Sequence, residues 1–327
     1  MKLGYFLACE EFDPRALVEQ AVLAQEAGFD GLWISDHYHP WNEQQGHSAF
    51  VWSMLGALAQ AAPGMHVTTA VTCPTTRIHP AVIAQAAATS SLLLGGRFTL
   101  GVGTGEALNE HILGDRWPSA PERREQLEEA VELIRRLWTG AVTSVRGRHY
   151  QVDHARIYDA PDEPPQILVS GFGPKSIELA ARIGDGFVTM HPDAEAVGQF
   201  RAGARRGQRV AGGLKVCFDQ DERQARETVH RVWPNEALPG ELAQVLPTTP
   251  HIEQASSLVT LEAATSTVPC GPDLEQHLDA IRAYEQAGFD ELYVQQIGPN
   301  QREFFNAYRE HVLPHLQRHG EYVRAGH

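Results

Sequence analysis

Two short segments carry residue types that could do chemistry. In Gly101-Val102-Gly103-Thr104-Gly105-Glu106-Ala107-Leu108-Asn109-Glu110, three glycines in five residues leave the backbone open to close approach, and the carboxylate of Glu106 follows at once. Asn109 comes three residues after Glu106 and so shares its face of a helical turn. The segment reads either as a cofactor cradle with an acid/base group built in or as a plain tight turn at a strand end. It does not fit the dinucleotide fingerprint, because Glu106 stands where the last glycine belongs and the segment lies far from the first strand–helix turn. The second segment is Ser35-Asp36-His37-Tyr38-His39-Pro40-Trp41. Its imidazole titrates near neutrality and can take a proton from a hydroxyl. A tryptophan in a polar loop is costly to expose and usually stacks on something. No third ligand stands at a characteristic spacing, so no metal is expected.

Composition narrows the class. The chain has 327 residues, 43% hydrophobic and 21% charged, and a net charge of −14. That length suits two domains or one large α/β barrel. So acidic a chain is not drawn to nucleic acid or to an anionic membrane surface, and an anionic ligand needs a local positive pocket. Cys9, Cys73, Cys217 and Cys270 are scattered without a C-x-x-C pair, which suits a reducing cytoplasm. The start of the chain reads as a strand, with no signal peptide and no membrane span.

The elements that must position these residues alternate between strand and helix. Strand patterns fall at Lys2–Ala8, Gly31–Ser35, His66–Thr72, Phe98–Val102, Ile167–Ser170, Gly186–Met190, Leu214–Phe218 and Glu291–Gln296. Helical spacing falls at Pro14–Ala27, Ser48–Ala61, Ala81–Leu93, Arg123–Leu137, Leu274–Ala287 and Glu303–Leu316, with further helices from Ser176 and near Asp221. Tyr150–Ile157 reads as a small hairpin excursion. Eight strands with helical crossovers predict a (β/α)8 barrel over residues 1–327 as one domain, with an insertion at residues 234–272. Gln25-Glu26-Ala27-Gly28-Phe29-Asp30 is echoed by Glu285-Gln286-Ala287-Gly288-Phe289-Asp290, each a helix end feeding a strand. In a barrel the chemistry gathers at the C-terminal strand ends. Those ends carry Glu10, Asp36-His37, Cys73, Gly103–Glu106, Ser170–Gly173, Met190-His191 and Gln295-Gln296.

Asp36-His37 with Pro40-Trp41, Cys73-Pro74 with Pro80–Gln85, Gly101–Glu110, and Gly173-Pro174 with Gly184–Phe187 together resemble the luciferase-like superfamily. The resemblance is greatest to its coenzyme F420-dependent dehydrogenases, which act on glucose 6-phosphate or secondary alcohols. It implies a luciferase-like TIM barrel, usually a homodimer, that binds a small-molecule substrate and an 8-hydroxy-5-deazaflavin with an acidic tail. It further implies that Asp36 contacts the deazaflavin and His37 faces the substrate, and that a cis peptide between Ala70 and Val71 backs the ring. Cys73, Thr104, Gly105 and Asn109 fall along the ring, and Phe172, Gly173, Lys175 and Ser176 at the tail phosphate. That last group also has a physical warrant, since a helix N-terminus with a lysine makes an anion site. His37 and Glu106 are the implied acid/base pair, their roles exchanging with reaction direction. Trp41 packs over the substrate carbon and Glu10 orients His37. An FMN-dependent monooxygenase on the same barrel and a non-catalytic deazaflavin binder are the alternatives, with FMN the lesser fit.

The pattern departs from the glucose-6-phosphate enzymes where they grip the sugar phosphate. The position of one lysine falls on Asp193, a preceding threonine on Met190, and a second lysine on Gln254. A carboxylate in place of a lysine repels a phosphate dianion. The expected substrate is therefore an uncharged secondary alcohol, or a sugar held through its hydroxyls. Arg201, Arg205 and Arg206 read as the solvated face of a helix.

Overall fold

The computed structural model describes residues 1–316; the last eleven residues of the expected 1–327 barrel lie outside the described part. Eight parallel strands close into a barrel: β1 (Lys2–Leu7), β2 (Gly31–Ile34), β3 (His66–Thr69), β4 (Phe98–Val102), β7 (Gln166–Ser170), β8 (Gly186–Thr189), β9 (Arg209–Val216) and β10 (Glu291–Gln296). The circuit closes where β1 pairs with both β10 and β2, so Tyr5 faces Val294 on one side and Leu32 on the other. An antiparallel hairpin of β5 (Thr143–Arg146) and β6 (Gln151–Ala155) stands outside the barrel.

Local chemistry sets the element ends. Pro14 opens the first helix, and Asp13 accepts the backbone N–H groups of Arg15 and Ala16. Gly28 ends that helix at φ 97°, and Gly288 repeats the device at φ 89°. The echoed Gly-Phe-Asp motif has one job at both places. Phe29 and Phe289 are buried, while Asp30 accepts the N–H of Leu3 and Asp290 that of Val210. Each aspartate thereby stitches a helix end to the start of a neighbouring strand.

Two layers of apolar side chains hold the barrel. Outside, the helices bury their apolar faces against the strands, with Leu17, Leu55, Ile83, Ile134 and Ile281 fully buried. Inside, Phe6, Trp33, Leu168, Val188, Ala211 and Tyr293, one from each of six strands, form a separate cluster. Trp33 stacks on Tyr293 at 4.4 Å. This plug supports the segment Ala70-Val71, which packs against it.

Two sequence expectations change. β9 begins at Arg209, not Leu214, because Gly212 and Gly213 are strand residues rather than breakers. A Cβ at Gly212 would meet the Phe289 and Tyr284 rings, and one at Gly213 would meet Met190. Arg201, Arg205 and Arg206 are not one solvated helix face: the helix ends at Gly203, Arg201 pairs with Asp290, and Arg205 donates to the carbonyls of Arg182 and Gly184. Those contacts tie the loops at the barrel's N-terminal end, opposite the strand tips that carry Glu10, His37 and Glu106. The inserted segment is built of short helices at Leu242–Val245, Thr249–Ser256 and Leu261–Thr265. It docks over the strand tips through Thr249, which donates to the Pro40 carbonyl, and the helix before it contributes the Val232 carbonyl, which accepts from Asn42 and Gln45.

Candidate active site

The tips of β1, β2 and β4 bring Glu10, His37 and Glu106 together. His37 Nε2 stands 3.4 Å from a Glu10 oxygen and 3.7 Å from a Glu106 oxygen. The Glu10 side chain is nearly fully buried and the Glu106 side chain about one third exposed. Ser35, the last residue before Asp36, donates from Oγ to Glu10 and itself accepts the Cys9 N–H. The β1 and β2 tips are thus locked to each other beneath the imidazole.

Asn109 fixes the imidazole from its other side. Its Oδ1 accepts the N–H groups of Tyr38 and His39 at 2.8 and 3.1 Å, which settles the orientation of the amide. The Nδ2 group donates to Glu106 at 3.0 Å and lies 3.0 Å from His37 Nδ1. His37 Nδ1 also lies 3.2 Å from the His39 carbonyl. As acceptor from Asn109 or donor to His39, Nδ1 is engaged in either tautomer. The nitrogen left to exchange a proton with a ligand is Nε2. Trp41 is 8% exposed and tilts across His37 at 5.0 Å between ring centres. It packs with Leu108, Trp233 and Ile252 in an apolar cluster that includes the inserted helices.

A cavity of about 600 Å³ opens beside this set. Its wall includes Asp36, Val71, Cys73, Gly103, Thr104, Gly105, Glu106 and Asn109, and also Phe172, Gly173, Lys175 and Ser176, whereas Glu10, His37 and Trp41 do not line it. The Ala70–Val71 peptide bond is cis. The three glycines have a shared reason that the sequence did not reveal. A Cβ at Gly101 would meet the Thr69 carbonyl oxygen at 1.9 Å, one at Gly103 would meet Val71 at 2.8 Å, and one at Gly105 would meet Cys73 at 2.6 Å. Alternate residues of β4 and its extension therefore press on alternate residues of β3 and its extension. Gly105 also has φ 77°, which a side chain would strain.

Asp36 is held from below by a buried network absent from the sequence reading. Arg77 donates to Asp36 Oδ1 at 2.8 Å and Thr72 donates to Oδ2 at 2.8 Å. The backbone N–H of Arg77 donates to Glu110 at 2.7 Å, with the guanidinium 3.5 Å from the same carboxylate. Burial opposes the Arg77 cation, but Asp36 and Glu110 outweigh it and raise its pKa. Burial likewise raises the Glu110 pKa, against the hydrogen bond and charge of Arg77. The only sequence hint was that Arg77 and Glu110 flank segments already singled out.

The expected substrate-pocket residues lie elsewhere. Met190 packs against Gly213 and Trp33, Asp193 is an exposed N-cap that accepts from Glu195 and Ala196, and Gln254 is exposed on an inserted helix. None of the three lines the cavity.

This barrel, with its acidic and imidazole groups at the strand tips, belongs to the luciferase-like monooxygenase family, whose sequence model matches residues 1–291. The chain is 36% identical to the F420-dependent glucose-6-phosphate dehydrogenase of Nakamurella multipartita, over 97% of each protein. It is also 36% identical to the enzyme of the same name from Beutenbergia cavernae, over 97% of this chain and 98% of that one. Among solved structures, an F420-dependent secondary alcohol dehydrogenase in complex with an F420-acetone adduct superposes with a TM-score of 0.89 at 29% identity, covering 96% of this chain and 98% of that one. The F420-dependent tetrahydromethanopterin reductase of Methanopyrus kandleri shares the fold, with a TM-score of 0.77 at 20% identity over 96% and 99% of the two chains.

Proposed function

We propose that this protein is a coenzyme F420-dependent dehydrogenase that transfers hydride between a CH–OH carbon of an uncharged secondary alcohol or sugar and the deazaflavin. The observation that carries the reading is His37 Nε2, set between Glu10 and the cavity-lining Glu106, with Nδ1 engaged on the ring's other side. The residues present fit the coenzyme. The cis segment and the glycine-lined strand tip line the cavity, Asp36 underlies it with both oxygens held by Arg77 and Thr72, and Lys175 with a helix N-terminus also lines it. When bound, the coenzyme supplies a two-electron hydride acceptor.

The chain's own groups do the proton work. In the tautomer whose Nδ1–H donates to the His39 carbonyl, His37 Nε2 takes the proton of the substrate hydroxyl as the carbinol carbon gives up hydride and becomes a carbonyl. Glu10 stabilises the imidazolium that forms, and Ser35 keeps Glu10 in place. Glu106 holds or releases the second proton at an oxygen already bonded to Asn109. Trp41 shuts water from that side of His37. In the reverse direction the proton movements invert.

An uncharged substrate is favoured by the local charges. Arg77 is engaged by Asp36 and Glu110, and Lys215 by Glu236 at 2.9 Å, while Glu10 and Glu106 flank the imidazole. A phosphate dianion beside His37 meets two carboxylates that, among the described residues, no lysine or arginine pairs. The family and its resemblances also support a homodimer in the cytoplasm. No helix among the described residues is long and apolar enough to cross a membrane.

The test is bleaching of the deazaflavin absorbance by a panel of secondary alcohols and sugars, with FMN as the competing cofactor. Bleaching by neutral alcohols, lost by a factor on the order of 10²–10⁴ in His37→Ala with cofactor affinity nearly kept, is expected. Tight FMN binding without deazaflavin binding supports a monooxygenase instead. Deazaflavin binding without turnover of any alcohol supports a binder.

A further inference from the structure

The most conspicuous charged group outside the proton machinery is Arg123. It lies in the first turn of the helix Ala120–Leu137 and is only 6% exposed. One guanidinium nitrogen donates to the Pro118 carbonyl at 2.8 Å, and the group rests 4.4 Å from the centre of the Trp117 ring. Its Nε has no hydrogen-bond partner. Among the described residues no carboxylate pairs with it; burial pushes its pKa down, and the charge of Glu241 acts only from a distance. A buried cation without a counter-charge is costly unless a ligand supplies one.

Arg123 lines the cavity, and so do Arg124 and Lys175, which also lack a carboxylate partner among the described residues. Several other arginines of this acidic chain are matched, Arg77 by Asp36, Arg135 by Asp185 and Arg182 by Glu128. Glu241 is the one carboxylate on the same stretch of wall, exposed and forming no ion pair. The cavity wall therefore carries Glu106 and Asn109 from the strand tips and three unmatched cations from other elements, Arg123 and Arg124 on the helix Ala120–Leu137 and Lys175 on the helix after Gly173. A ligand that suits it is polar and uncharged at one end and anionic at the other.

Resting on the cofactor reading above, we propose that Arg123, assisted by Arg124 at the cavity mouth, is the subsite for the glutamate carboxylates of the coenzyme tail. Lys175 and the helix N-terminus beside it are left to the phosphate. The site recognises carboxylates on a flexible anionic chain and discriminates the tailed coenzyme from FMN, which ends at its phosphate.

Fluorescence titration of the full-length protein with three deazaflavins tests this. These are the tailed coenzyme, the form that ends at the phosphate without glutamate, and the nucleoside without phosphate. The wild type is expected to bind the tailed form at least about tenfold more tightly than the phosphate-only form. Arg123→Met should abolish that difference while leaving the nucleoside within about twofold. Arg124→Gln, on a partly exposed residue with no protein partner to lose, should reduce the difference and weaken its salt dependence. Equal weakening of all three ligands by Arg123→Met makes Arg123 a structural strap and overturns the proposal. So does a wild type that ignores the tail, or an Arg124→Gln variant that binds all three as the wild type does. Failure of the wild type to bind any deazaflavin overturns the cofactor reading itself.

Discussion

Nδ2 of Asn109 lies 3.0 Å from His37 Nδ1 and 3.0 Å from the Glu106 carboxylate, so one amide orients both members of the acid/base pair. The amide cannot turn over, because its oxygen already accepts two backbone N–H groups from the His37 loop. Asn109→Ala is expected to lower turnover on the order of 10²-fold, since the imidazole and the Glu106 carboxylate lose the group that aims them. Single-turnover kinetics checks this. A rise in KM with unchanged turnover contradicts the assigned role.

Arg77 lies between two buried carboxylates, so removing its charge strands both. The Asp36 and Glu110 side chains are 0% and 1% exposed. Arg77→Met is expected to cost about 3–5 kcal/mol in denaturant unfolding, and Arg77→Met with Asp36→Asn to recover part of the loss. A cost below about 1 kcal/mol for the single variant shows that the network is not a charge pair of consequence.

Glu11 gives the protein a pH dependence separable from catalysis. Its carboxylate accepts from the Trp233 indole and from the Gly298 N–H, joining the β1 tip to the end of the helix Glu222–Val232 and to the loop after β10. Burial first of all raises its pKa to about 7, against those two hydrogen bonds. A carboxyl raised in the folded state contributes stability fully present below about pH 4.5 and lost as pH rises through about 7. The difference in unfolding free energy between wild type and Glu11→Gln is expected to change by about 3 kcal/mol across that window, in the direction of a relatively weaker wild type at high pH. A pH-independent difference refutes it.

Gly103 touches only the Val71 side chain closely, at 2.8 Å from a built Cβ. Gly103→Ala is expected to lose about 1–3 kcal/mol of stability by overpacking, and Val71→Ala in the same chain to relieve much of that loss. Additive losses in thermal melts place the cost in the backbone instead.

Much of this was legible in the chain. All eight barrel strands showed as apolar runs between helical repeats, since a parallel strand buried on both faces must be apolar and its crossover helix must be amphipathic. Glu106 and Asn109 were placed on one face by spacing alone. The exceptions have physical causes. The first half of β9 was hidden because close packing against aromatic rings demands glycine there, and glycine in sequence reads as a break. Glu129, on the helix Ala120–Leu137, accepts the N–H groups of His149 and Tyr150 in the hairpin, a contact that spacing cannot show.

By itself the sequence determined the barrel, the strand tips and the types of residue that stand on them, because periodicity and turn chemistry are local. Only the tertiary structure decided which of those residues meet. Glu10 reaches His37 across 27 positions and Arg77 reaches Asp36 across 41, by the pairing of neighbouring strands. The unmatched state of Arg123 is also a tertiary fact, since a cation is left alone only when no carboxylate from elsewhere in the chain is folded against it. Local pattern fixes what each element is, whereas packing fixes whose charge lies beside whose.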